Sequence, residues 1–138
     1  MTNIRYPKAA ELALSLMCGS GTRPTYSGGL KTVLVDAADY TYDAADQYLD
    51  DIPSGARVGT PQAIGSPTYT NGVLDGADVT FPLVTGDECE LLAIYGDTGT
   101  EGTSPLLFLF DGATGLPILP SGGDIPVVWN GSGIASCP

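Results

Sequence analysis

The 138-residue sequence contains no histidine. Without an imidazole, Ser/His/Asp and Cys/His nucleophilic arrangements and histidine-bearing metal sites are excluded, and a large share of hydrolases goes with them. Cations are scarce: five Lys and Arg stand against 16 Asp and Glu, for a formal net charge of −11. All five (Arg5, Lys8, Arg23, Lys31, Arg57) lie in the first 57 positions. The rest of the chain therefore has no cation to offer a phosphate, and nucleic acid is a poor partner. Long apolar runs are also missing. Leu106 to Phe110 is typical of those present, far short of the ~20 residues that a membrane span requires. Three cysteines, Cys18, Cys89 and Cys137, form no closely spaced pair and leave an odd count. That pattern fits thiols kept reduced in a cytoplasm better than a disulfide framework, although one pair remains open. No export signal is read at the N-terminus, because Glu11 interrupts the apolar stretch and no small-x-small site follows.

What the sequence does have is punctuation. Nineteen Gly and 11 Pro are scattered along the whole length, as expected of many short strands joined by turns. One domain accommodates this length, with a core that needs no staple. Pro7 suits a helix start, and Ala9, Leu12, Ala13 and Leu16 share a helical face before Gly19. The alternation of Leu12, Leu14 and Leu16 equally suits a strand, and a short helix is the preferred reading. The Gly/Ser/Pro-rich stretch from Gly19 to Gly29 lacks the Gly-Lys-Ser/Thr ending that would cradle phosphate. It divides residues 1–29, read as an N-terminal helix or arm and its loop, from a single β domain over residues 30–138.

Within that domain Lys31 to Asp36 reads as a β-branched strand, followed by a short helix capped by Thr41 or Asp43 and running through Leu49 until Pro53 ends it. Apolar segments then recur at Val73 to Leu74, Val79 to Val84, Cys89 to Tyr95, Leu106 to Phe110 and Ile125 to Trp129. Asn71-Gly72 and Asp75-Gly76 between them are hairpin-type turn dipeptides. Asp111-Gly112, Thr114-Gly115 and Ser121 to Gly123 mark further reversals. The expected fold is mainly β, an antiparallel sandwich or partly open barrel with one or two short helices and an N-terminal arm. Val33, Val35, Phe81, Leu92, Ile94, Leu107, Leu109 and Trp129 are its predicted core.

Candidate chemistry is thin. The acidic run Asp36, Asp39, Asp43, Asp46, Asp50, Asp51 invites calcium, but it lacks the central Gly and closing Glu of an EF-hand loop. A solvated helix face accounts for it better. Asn130-Gly-Ser132 matches a glycosylation acceptor that reads as a turn in a chain without an export signal. Asp97-Thr98-Gly99 follows the apolar strand Leu91 to Tyr95 and resembles the loop of retroviral-type aspartic proteases, which pair two chains so that two carboxylates share a proton. Gly96 intervenes, Thr100 stands where that family has Ala or Ser, and Asp-Thr-Gly is also ordinary turn chemistry. No catalytic, cofactor-binding or metal-ligating residue is assigned; a dimeric protease using Asp97 is kept as a remote alternative.

Wider strings carry a second resemblance. Lys31 to Tyr42, Gln47 to Val58, Asp75 to Phe81, Ala93 to Thr100, Thr114 to Pro117 and Gly122 to Ile125 occur in an order similar to that of small structural proteins of tailed bacteriophages and prophages. The likeness spans roughly residues 31 to 130. It departs at Pro105, where a basic residue is usual after the Asp-Thr-Gly-Thr string, and at the C-terminal Ala135 to Pro138. The resemblance implies a virion structural protein, foremost a capsid decoration or cement protein. Such a protein would be made in the host cytoplasm, form a trimer, and bind the major capsid protein on the shell exterior. A neck or tail ring is the alternative.

Overall fold

A computed structural model of the chain describes residues 3–113 and 115–136; Thr114 and Cys137, named above for a turn and a thiol, lie outside them. The protein is mainly β, with antiparallel sheets and, among the described residues, no closed barrel. Besides short 3-10 turns, the described residues form β1 (Ile4–Arg5), α1 (Pro7–Met17), β2 (Gly29–Val35), β3 (Arg57–Ala63), β4 (Val73–Leu74), β5 (Val79–Phe81), β6 (Leu91–Asp97), β7 (Leu106–Phe110), β8 (Ile125–Val127) and β9 (Ala135–Ser136). Five strands form the main sheet in the order β1-β7-β6-β2-β3, and β4-β9 and β5-β8 form two small ribbons.

The centre of the sheet explains why its strands do not alternate in polarity. β2 and β6 pair along seven residues, from Gly29 opposite Asp97 to Val35 opposite Leu91, and both are flanked on each side. Successive side chains point to opposite faces, and here both faces are covered. Val33, Val35, Leu91, Ala93 and Tyr95 join one buried cluster. Leu34, Leu92, Ile94, Phe81, Val84, Ile125 and Val127 join the other. The buried Thr32 hydroxyl is satisfied by the Ala93 carbonyl at 3.0 Å.

Six of the eight predicted core residues are buried, whereas Leu107 and Trp129 are half-buried. β8 stops at Val127, so Trp129 lies beyond the strand; its indole N–H donates to the Ala77 carbonyl and its backbone N–H to Asp78. Asn71-Gly72 does close a tight turn: both residues have positive φ, and Thr68 and Asp75 pair across it. Asp75-Gly76 is not a reversal; a side chain at Gly76 would collide with Ile64.

Two expectations are corrected. No α-helix runs through Leu49; a single 3-10 turn (Leu49–Asp51) stands there. Carboxylates capture the local backbone donors instead: Asp43 takes the Ala45 N–H, Asp46 the Asp43 N–H, and Asp51 those of Gln47 and Tyr48. Such bonds compete with helix formation. The acidic run is thus turn-building and not a helix face.

The second correction concerns the arm. β1 adds to the sheet edge, pairing Ile4 with Leu109 and Arg5 with Phe108, and Tyr6 is fully buried. Its hydroxyl meets that of Tyr40 at 2.9 Å, and Tyr40 donates to Asp46 at 2.6 Å. Burial, as the main cause, pushes both phenols well above the usual tyrosine range. Residues 4–9 therefore belong to the domain. Only the outer part of α1 stands away from it: Ala9 is buried, but Leu14 and Met17 are exposed.

Candidate interaction surface

An apolar opening lies where the main sheet meets the β4-β9 ribbon. Leu30 of β2, Leu107 and Phe108 of β7, Leu74 of β4 and the rings of Tyr26 and Tyr69 line a cleft of about 490 Å³. Tyr26 and Tyr69 also wall a second, more open cleft of about 720 Å³ toward Leu12 and Leu16 of α1. The two form one trough, with Tyr69, 68% exposed, on its ridge. Arg23 is the single charged residue in its lining, a neutral stretch of surface on a chain of net charge −11.

Local sequence builds this trough in two ways. Gly96, buried in β6, carries no side chain because the Tyr26 ring lies where a Cβ would stand. The glycine that sets Asp97 apart from its preceding apolar strand thus seats an aromatic ring. Phe108 and Phe110 stack at 6.1 Å along β7, their rings nearly parallel. Leu107 and Phe108 remain half-buried because the covering ribbons leave this end of the sheet open.

Asp97 sits at the end of β6 and organises a turn. Its carboxylate accepts the Gly99 N–H at 2.8 Å and pairs with the Lys31 ammonium at 2.8 Å. Lys31 first, then the Gly99 N–H, hold this carboxyl below its ordinary range. The two carboxylate oxygens are thus taken up separately, one by the Gly99 N–H and the other by Lys31. Thr98, Thr103 and Ser104 tie the following loop together through their hydroxyls. Beside them Arg57 forms a two-pronged pair with Glu101, at 2.8 and 3.0 Å, which lowers the Glu101 carboxyl. Burial pushes the nearby Tyr95 phenol up to about 12. Asp97 and Lys31, Arg57 and Glu101, and the loop hydroxyls thus hold one another, while the Arg57 Nε is buried with no hydrogen-bond partner among the described residues.

The acidic run contributes only Asp36 and Asp39 to a cluster that Asp87 completes from a distant loop. Asp36 is buried, and it accepts the Ala38 N–H at 2.8 Å. Asp43, Asp46, Asp50 and Asp51 are not part of it. Cys89 is buried, and desolvation followed by the surrounding carboxylates raises its thiol to about 11; Cys18 is exposed at the end of α1. Asn130-Gly-Ser132 is a turn in which Asn130 accepts the Ser132 N–H.

Sequence reasoning missed the trough. Tyr26, Tyr69 and Phe108 lie far apart in the chain and follow no single period; the one available signal was the number of tyrosines near Gly and Pro. No family model and no curated protein sequence matches the chain. Among the described residues no helix is long and apolar enough to cross a membrane.

Proposed function

We propose that this protein is a structural component of a tailed-bacteriophage virion, acting as a decoration or cement protein that binds the major capsid protein on the outside of the shell. The observation that carries the reading is the open, nearly uncharged trough on an otherwise acidic surface. A contiguous exposed apolar surface of this kind supports a contact with another protein. The order of the strings between residues 31 and 130 supplies the phage setting, and the net charge of −11 suits a position away from packaged DNA.

Quantitative mass spectrometry of purified particles tests it. Hundreds of copies per particle are expected for a shell protein, whereas about six to twelve would indicate a neck or tail ring by the symmetry of such rings. Absence from the particle would overturn the virion reading. A second arm uses Tyr69→Ser, which removes the ridge of the trough without touching the core. Particle binding should drop while the melting temperature holds.

A further inference from the structure

A further cleft, of about 360 Å³, shares no lining residue with the trough. Three distant parts of the chain meet there: Asn3 before β1, Gly112 after β7, and residues 128–134 after β8. Trp129, the single tryptophan of the chain, packs against the core cluster of Leu34, Leu92 and Ile94 and lines this cleft. Two hydrogen bonds fix its placement, the indole N–H to the Ala77 carbonyl and the backbone N–H to Asp78, each at 2.9 Å. Val128, 58% exposed, adds apolar surface to the same lining.

The lining also carries polar groups without protein partners. Asn3 Oδ1 accepts the backbone N–H groups of Asp111 and Gly112, at 3.0 and 3.1 Å, and Asn130 Oδ1 accepts that of Ser132 at 2.8 Å. Only the oxygen of a carboxamide can accept an N–H, so these bonds fix the orientation of both amides. Among the described residues their amino groups have no acceptor, and the Ser132 hydroxyl has no partner either. All three residues are exposed. Water satisfies them until a ligand with hydrogen-bonding groups of its own takes its place.

Charge and polarity sort the ligands that could do so. No residue of the lining is charged, on a chain of net charge −11. An anion would meet no cation there and is repelled by the whole, and a cation would find no carboxylate in the lining. A purely apolar ligand would strip water from the amide and hydroxyl groups and give nothing back. What fits is a neutral molecule with an apolar face for the tryptophan ring and hydroxyls for the polar groups. A pyranose has both, C–H groups on one side of its ring and hydroxyls around the edge. We propose that this cleft binds a neutral hexopyranose unit, its C–H face on Trp129 and its hydroxyls bonded to the Asn3 and Asn130 amino groups and to Ser132. Sugar binding does not depend on the virion reading above, and its failure leaves that reading standing.

Tryptophan fluorescence of the purified full chain, excited beyond the tyrosine absorption, reads this site alone because Trp129 is the only tryptophan. Glucose, galactose, mannose and N-acetylglucosamine are titrated separately into the millimolar range, with choline as a cationic probe and inorganic phosphate as an anionic one. At least one sugar should give a saturable change, and neither ion should. Asn130→Ser keeps a side-chain oxygen for the Ser132 N–H but loses the amino donors. Affinity for the sugar that binds should then fall about three- to tenfold, at an unchanged melting temperature. Trp129→Leu, followed by calorimetry, should abolish binding, whereas Tyr69→Ser in the trough should leave it intact. Absence of saturation by all four sugars, saturation by choline or phosphate in their place, or full affinity in Asn130→Ser or Trp129→Leu would overturn the assignment.

Discussion

Tyr6 tests most directly whether the N-terminal segment belongs to the core. The side chain is fully buried, its ring 5.7 Å from that of Tyr42, and its backbone N–H donates to the Leu107 carbonyl at 3.0 Å. Tyr6→Ala removes the ring and leaves a cavity that the sheet cannot fill, at a cost of about 3 to 5 kcal/mol. Tyr6→Phe removes only the hydroxyl. Tyr40 still has Asp46 as acceptor at 2.6 Å, so no donor is orphaned and the cost falls to about 0.5 to 1.5 kcal/mol. Domains have a total stability of about 5 to 15 kcal/mol, so the alanine change should shift the urea midpoint strongly and the phenylalanine change weakly. Far-UV circular dichroism at increasing urea reads both. A shift below about 1 kcal/mol for Tyr6→Ala would refute the reasoning, because so small a value belongs to a surface position. By the same logic, deleting residues 1–28 should abolish cooperative unfolding.

Leu92→Ala and Ile94→Ala, both fully buried in β6, should each cost about 2 to 5 kcal/mol by denaturant titration; unchanged midpoints would mean the faces are misassigned. Asp97→Asn keeps the acceptor for the Gly99 N–H and loses only the pairing with Lys31, an effect of at most about 1 kcal/mol. The folded-state carboxyl is held below its unfolded value, so this contribution is complete above the unfolded value and is lost as pH falls through the folded one. Wild type and Asp97→Asn should therefore converge in acid melts. Neither should cleave unfolded protein in an assay run from about pH 4 to 7; cleavage lost in the variant would reinstate the protease reading. In the native protein at mildly alkaline pH, iodoacetamide should label Cys18 and spare Cys89, whose thiol is buried and raised to about 11; peptide mapping that found Cys89 modified first would contradict this. Gly96→Ala should displace Tyr26 and cost about 1 to 3 kcal/mol, with shell binding reduced; an unperturbed tyrosine environment by NMR would count against the trough as described.

The sequence alone determined that this chain is mainly β and offers no histidine-based chemistry. Short apolar runs bounded by Asn-Gly, Asp-Gly and Pro are local signals, and strand formation and turns respond to local chemistry. The same signals located Val33, Val35, Leu92 and Ile94, because short β-branched and apolar runs bounded by turn residues favour buried strands. They misled at Asp43 to Leu49, where a helix-like spacing hid carboxylates that capture backbone donors. They also misled at residues 4–9, where a flexible-looking loop concealed that the preceding segment completes a sheet edge. Only the tertiary structure decided these points, together with the trough itself and the joining of Asp87 to Asp36 and Asp39. Each depends on contacts between residues tens of positions apart. Such contacts are set by sheet register and by which faces remain uncovered, and neither is encoded in any single stretch of chain.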